Sequence, residues 1–226
     1  MKQVVNNQFG YLSKATELKK RIYFTFVALL IFRIGSYIPL PSINSSVLLK
    51  INLDNSSGIL GMLNILSGGS LGRMSIFALA IMPYITSSII MQLITVIYKD
   101  SNNTKKNDES NKKKINKYTR YLTVLLAVIQ GLGIAFGLER MIYNDISLVN
   151  APGIVFESTT VVTLTTGTIF LMWLSEQITV RGVGNGSSLI LFSGIVAGVP
   201  SSLLRALELV KTGSLNPVYL LGFLIL

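Results

Sequence analysis

Residues 68–92, GGSLGRMSIFALAIMPYITSSIIMQ, join a glycine pair and an arginine to an apolar run with a proline inside it. In water Pro83 would end a helix, because it lacks the N–H that the ladder needs and its ring clashes with the preceding turn. In lipid the freed carbonyl is satisfied by neighbouring helices, hydroxyls or water, and Thr86, Ser87 and Ser88 follow at once. The stretch therefore predicts a transmembrane segment over 75–98 with a helix break at Pro83, and broken segments of this kind tend to line a pathway.

Composition agrees with a bilayer environment. Half of the residues are hydrophobic and 13% are charged, with a mean hydropathy of +0.57, outside the balance of a soluble domain. The fold class that follows is an all-α polytopic membrane protein. Cysteine and histidine are both absent, which removes disulfides, thiolate chemistry, imidazole bases and histidine metal ligands.

The net charge of +10 is concentrated rather than spread. Five cations lie in 2–21 and eight in 99–120, each group flanking an apolar run. Placed so, they act as cytoplasmic anchors under the positive-inside rule and not as a specific nucleic-acid surface. The N-terminus is then expected in the cytoplasm. The long apolar run after Arg21 has no small-residue cleavage site and is not a removable signal peptide.

In chain order, residues 1–21 form a polar, basic tail, with a short amphipathic helix expected over 13–21. A first span covers 22–39 and contains Arg33, whose long stem is expected to snorkel to the outer end. Pro39 and Pro41 end it and an outer loop follows. Residues 59–66 are apolar but too few to cross, so they read as re-entrant or interfacial. The Asn- and Lys-rich segment 99–120 is expected to be a flexible cytoplasmic loop, since it cannot bury enough apolar surface to order itself. A third span over 121–138 offers Gly133 and Gly137 for close helix contact. The fourth and fifth spans fall at 158–178 and 187–204, joined by a turn with Gly182, Gly184 and Gly186. Residues 205–226 read as an external loop and the start of a sixth helix, and the chain looks incomplete.

Catalysis finds no support in this pattern. An intramembrane serine hydrolase needs a His or Lys base at membrane depth, and every lysine lies in a loop or tail. An aspartyl version needs two embedded carboxylates, whereas Asp54, Asp100, Asp108 and Asp145 are all in loops. The glycines of 182–186 follow a helix and not a strand, so turn geometry explains them better than a phosphate loop does. Glu176 and Arg181 are placed to pair across that turn or to remain solvated. Ile81 and Ile85 share a helix face, and branched side chains aimed at a pathway would form a constriction that blocks water and ions by dewetting. Packing against lipid or neighbouring helices is the plainer alternative for the pair.

Two longer segments carry a resemblance. SIFALAIMPYITSSIIMQL at 75–93 and LMWLSEQITVRGVGNGSSLIL at 171–191 resemble the two signatures of the SecY family, the central subunit of the protein translocation channel. FRIGSYIPLP at 32–41, ILSGGSLGRMSIFAL at 65–79, KYTRYLTV at 117–124 and GIVAGVP at 194–200 are similar to further family segments, in the family's order and along essentially the whole chain.

The resemblance implies the N-terminal five-helix half of the SecY channel fold, covering 22–204, with a short re-entrant plug helix at about 59–72 and the start of helix six. It assigns a plug to Leu60, Met62, Leu63, Ile65, Leu66, Gly68 and Gly69, and a pore ring to Ile81, Ile85 and Leu191. Leu191 replaces the isoleucine common in the family but is still a branched aliphatic. Ile89 and Gln92 on the second helix, with Leu125 and Ile129 on the third, would belong to a lateral gate. The implied function is passage of secretory polypeptides across the bilayer and of membrane proteins sideways into lipid. No enzyme activity and no cofactor are implied. The implied partners are small SecE-like and SecG-like membrane subunits, a SecA motor ATPase or a ribosome, signal sequences, nascent polypeptides and lipid. The implied location is the bacterial plasma (inner) membrane. The docking loops and the opposite gate helices would lie beyond residue 226, so residues 1–226 alone are not expected to translocate. A secondary transporter for a small solute is the alternative, since broken helices serve that fold too, and a membrane receptor or scaffold is a third class. A transporter should place polar or ionisable groups at the midplane, where this chain places aliphatic ones.

Overall fold

The computed structural model describes residues 2–44, 64, 67–101, 108–143 and 146–211. Five helices follow in chain order: α1 (Lys2–Gly35), α2 (Met82–Ser101), α3 (Asp108–Glu139), α4 (Ile154–Arg181) and α5 (Gly186–Lys211). Between α3 and α4 lies a two-stranded antiparallel ribbon, β1 (Ile142–Tyr143) and β2 (Ile146–Ser147), in a loop for which the sequence predicts no strand. Helices α1, α3 and α5 all pack against α4, and α2 packs chiefly on α3. Among the described residues, Lys113–Glu139 and α4 are long and apolar enough to cross a membrane, while Met82–Ile97 and Gly186–Pro200 are shorter apolar stretches.

Helix α1 runs unbroken through the boundary expected between tail and first span. From residue 11 to residue 34 there is neither glycine nor proline to interrupt it. The helix stops at Gly35, ahead of Pro39 and Pro41. Beyond it, the Asn44 N–H donates to the Leu148 carbonyl and the Asn150 N–H to the Ser42 carbonyl, so the two outer loops are joined.

The expected flexible loop over 99–120 is a second departure. Helix α2 continues to Ser101 and α3 starts at Asp108, so most of that polar segment is helical. Low hydrophobicity argued against an independent fold, but lengthening a helix that already exists requires no new nucleus, and lysine and glutamate are good helix formers. Helix α5 likewise passes the expected end at 204, reaches Lys211 and contains Pro200. The glycine expectation on α3 is also corrected. Gly133 and Gly137 face open space, whereas a side chain at Gly131 would meet Val161 and Leu164 of α4. Gly131 therefore sits at the close approach of the two helices.

The segment before α2 corrects the expected span most strongly. The helix begins at Met82, which puts Pro83 in its first turn, where a missing N–H leaves no helix bond unmade. The break falls upstream: residues 76–81 are a chain of turns, with Ala80 (φ 49°) in the left-handed region, as is Met74 (φ 45°) just before them. Non-helical backbone at membrane depth needs partners from the protein. Here the Ile76 N–H donates to the Ile38 carbonyl at 3.0 Å, the Leu40 N–H to the Met74 carbonyl at 2.8 Å and the Ala80 N–H to the Phe77 carbonyl at 2.8 Å.

Aromatic stacking fixes the same segment in place. The Phe77 ring stacks on Phe32 of α1, centroids 6.1 Å apart, and on Phe170 of α4 at 5.9 Å. Both helices make room with a glycine. A methyl group at Gly35 would run into the Phe77 ring, and one at Gly167 would run into the Ile76 carbonyl.

Candidate functional site

The glycine pair expected in the plug lies on a turn whose hydrogen bonds are local. The Asn64 carbonyl accepts from the Gly69 N–H at 2.7 Å, and its side-chain oxygen accepts from the Gly72 N–H at 2.7 Å. The Ser67 hydroxyl donates to the Asn64 carbonyl and accepts from the Leu71 N–H. Gly68 (φ 67°) and Gly69 (φ 81°) adopt left-handed backbone that side-chain-bearing residues avoid. Gly68 is also closely packed, since a methyl group there would lie 3.0 Å from the Gly194 Cα on α5. Leu60, Met62, Leu63, Ile65 and Leu66, the other expected plug residues, lie outside the described residues.

Two arginines close on this turn. Arg33 donates from one terminal nitrogen to the Gly68 carbonyl and from the other to the Tyr37 hydroxyl, both at 2.9 Å. Arg73 donates to the same Gly68 carbonyl at 2.9 Å and more weakly to the Ser36 carbonyl at 3.4 Å. Both guanidinium groups approach the Tyr37 ring, at 4.9 and 4.2 Å from its centroid, where the negative face of the ring attracts a cation. Arg33 thus reaches a specific carbonyl instead of only snorkelling to the surface. The partnership was missed in the sequence because Arg33 and Arg73 are far apart in the chain. Arg73, four residues after the glycine pair, was the available signal.

The expected pore residues do not share one environment. Ile81 is 1% exposed, in a cluster with Phe32, Phe77, Leu171, Ile178 and Ile190, because the turns of 76–81 press it between α1, α4 and α5. Ile85, whose N–H donates to the Ile81 carbonyl at 3.1 Å, packs half-buried against that cluster, as Leu189 does. Leu191 is half-buried outside it. Ile81 is enclosed by this chain's own side chains, while Ile85 and Leu191 keep partial access.

Pro83 is followed by Ser87, whose hydroxyl donates to the Pro83 carbonyl at 2.7 Å. The four expected gate positions lie on outer faces of their helices. Ile89 is 52% exposed, Leu125 and Ile129 are each 56%, and Gln92 is exposed with its amide donating to the Ser88 hydroxyl.

At the opposite end the turn between α4 and α5 is tied to α1. The Thr25 hydroxyl accepts from the Val183 N–H at 3.1 Å, and the Asn185 side chain caps α5 by accepting from the Ser187 N–H at 3.0 Å. Gly186 packs against the Ser175 carbonyl of α4. Glu176 pairs with Arg120 of α3 and not with Arg181.

The family model described as SecY matches residues 75–226. "Protein translocase subunit SecY" of Rickettsia typhi is 56% identical over 204 residues, covering 90% of this chain and 47% of the relative. The protein of the same name from Escherichia coli K12 is 50% identical over 205 residues, covering 91% and 46%. The chain thus spans about half the length of the curated relatives it matches. Among solved structures, one described as "The structure of a protein conducting channel" aligns with a TM-score of 0.64 at 17% identity, covering 92% of this chain and 45% of that one. Sec61 in the canine ribosome-channel complex aligns at the same TM-score and identity, covering 92% and 46%. These two likenesses show a shared helical arrangement, and the sequence matches place the chain, a polytopic helical membrane protein, in the SecY family.

Proposed function

We propose that this chain supplies one side of a gated polypeptide channel, as the central subunit of a Sec protein translocase. Secretory polypeptides would pass across the bilayer and membrane proteins would leave sideways into lipid. The observation that carries this reading is the arrangement at 67–85: a turn-rich seat held by two arginines leads directly into a buried aliphatic cluster, in a chain of this family. Ile85 and Leu191 supply aliphatic surface to the constriction, and Ile81 is the packed base from which Ile85 projects. The plug comprises Leu60, Met62, Leu63, Ile65, Leu66, Gly68 and Gly69. Ile89, Gln92, Leu125 and Ile129 form one lip of the lateral gate, supported by their placement on outer helix faces.

The channel performs no reaction and needs no cofactor, so its driving force comes from partners. These are small SecE-like and SecG-like membrane subunits, with a SecA-type motor ATPase or a ribosome on the cytoplasmic side. The membrane is the bacterial plasma membrane, and the basic clusters at 2–21 and 99–120 set the N-terminus in the cytoplasm.

The test is a paired replacement of Ile81 and Ile85 by serine in the assembled channel. A conduit then leaks ions and accepts defective signal sequences. Unchanged conductance together with loss of uptake of a small solute overturns the reading in favour of a transporter.

A further inference from the structure

Four aromatic rings stand in series from the interior to the exposed face of α4. The Phe32 and Phe77 centroids are 6.1 Å apart, those of Phe77 and Phe170 5.9 Å, and those of Phe170 and Trp173 5.9 Å. Phe77 and Phe170 are almost parallel, with 3° between their planes. Phe32 and Phe77 are buried, whereas Phe170 is 36% exposed and Trp173 52%. Trp173 stands three residues after Phe170 on one helix, and helical side chains lean toward the N-terminus, which brings the indole onto the Phe170 ring. Gly167, one turn earlier, lets α4 approach, since a methyl group there would also lie 3.3 Å from the Phe77 ring.

The segment that contains Phe77 has little shape of its own. In the turns of 76–81 the Ala78 N–H donates to the Ser75 carbonyl and the Ala80 N–H to the Phe77 carbonyl, and Ala80 lies in the left-handed region that alanine avoids. Tertiary contacts therefore set its course, and Phe77 is its largest side chain. The Ile85 N–H donates to the Ile81 carbonyl, so a shift of Phe77 carries both isoleucines with it. Phe32 and Phe77 belong to the buried cluster around Ile81, while Phe170 stacks on Phe77 from outside that cluster. We propose that Phe170, steadied by Trp173, is a positioning residue of the constriction: it holds the Phe77 ring in its stack and thereby fixes the turns that carry Ile81 and Ile85. The role deepens the channel reading and rests on it. Leucine at position 170 keeps most of the bulk and loses the stack. Stacking of this kind, beyond the area it buries, makes a displaced Phe77 ring about two- to tenfold rarer.

The experiment measures ion leak through the assembled channel in lipid vesicles for Phe170→Leu, Phe170→Tyr, Phe77→Leu, the Phe77→Leu and Phe170→Leu double variant, and Phe26→Ala. Phe26 of α1 is exposed and belongs to none of the ring stacks among the described residues, so it serves as the control. Phe170→Leu is expected to raise the leak about two- to tenfold. Phe170→Tyr should keep it at the original level, since a phenol ring stacks as a phenyl ring does, and Phe26→Ala should leave it unaltered. With Phe77→Leu already in place, Phe170→Leu is expected to add nothing, because the ring it positions is gone. Trp173 is the chain's single tryptophan and reads the stack from its exposed end. In the chain held in lipid nanodiscs, Phe77→Leu is expected to shift the Trp173 emission through Phe170, and Phe26→Ala is not. An unchanged leak in Phe170→Leu overturns the positioning role. So does an equal effect of Phe170→Leu with and without Phe77, which means packing alone, and so does an emission that Phe77→Leu leaves unmoved. Leak from the Ile81 and Ile85 serine replacements without leak from Phe170→Leu defeats this role and leaves the channel standing, whereas no leak from either overturns both.

Discussion

Arg120 and Glu176, on α3 and α4, face each other as a two-pronged pair, Nε to Oε1 at 2.9 Å and a terminal nitrogen to Oε2 at 2.7 Å. The side chains are 54% and 29% exposed, so water and salt screen much of the attraction. Arg120→Ala is expected to destabilise the protein by less than about 1 kcal/mol. The loss should shrink further in high salt. Unfolding titrations at low and high ionic strength check both statements, and a loss that salt leaves unaltered would mean the pair acts through packing instead.

Glycines at helix contacts should divide sharply by what lies opposite. Gly186→Ala drives a methyl group into the Ser175 carbonyl of α4, a backbone atom that cannot step aside, whereas Gly133→Ala meets nothing within 4 Å. The first change is expected to cost roughly 1–3 kcal/mol or more by overpacking. The second should be neutral or slightly stabilising, because alanine is the better helix former. Thermal unfolding of the two variants side by side checks the contrast.

The two isoleucines should separate stability from sealing. Ile81→Ala opens a hole in a cluster where the side chain is 1% exposed and is expected to cost about 2–5 kcal/mol. Ile85→Ala removes a half-buried side chain packed against that cluster and should cost clearly less. Measured together with ion leak, the pair discriminates a general loss of structure from a specific loss of seal. A leak larger for Ile85→Ala than for Ile81→Ala, against the order of stability, is the expected pattern.

Pro83 opens α2, and this location sets a mild expectation. Pro83→Ala should lower stability by only about 0.4–1 kcal/mol, chiefly by giving the unfolded chain more freedom. A proline lodged inside a helix behaves oppositely, since its removal restores a backbone bond and relieves a clash. A gain in melting temperature on Pro83→Ala would therefore contradict the placement of the break at residues 76–81.

The membrane class and the broad positions of the helices were legible in the sequence, because apolar runs and flanking lysines depend only on local composition. Break points were less so. Pro83 stands in the first turn of α2, and the irregular stretch lies before it, where Phe77 is caught between Phe32 and Phe170 and where Gly35 and Gly167 remove the obstructing side chains. Nothing local to 76–81 announces those partners. Gly133 and Gly137 have the spacing of a contact motif, but Gly131 faces α4, since the rotation of a helix about its axis is set by its neighbours. Arg33 and Arg73 were visible as charges. Their common acceptor appears only when α1 and the following turns are folded together.

Helix α1 has a mechanical consequence. Its 34 residues extend for about 51 Å at 1.5 Å of rise each, against a hydrocarbon layer of roughly 30 Å. Between residues 11 and 34 the helix is one shaft with no glycine or proline joint to absorb a push. A tug on the basic end is thus delivered as torque at Thr25, where the shaft holds the 182–186 turn, and again at Gly35, where it bears on Phe77.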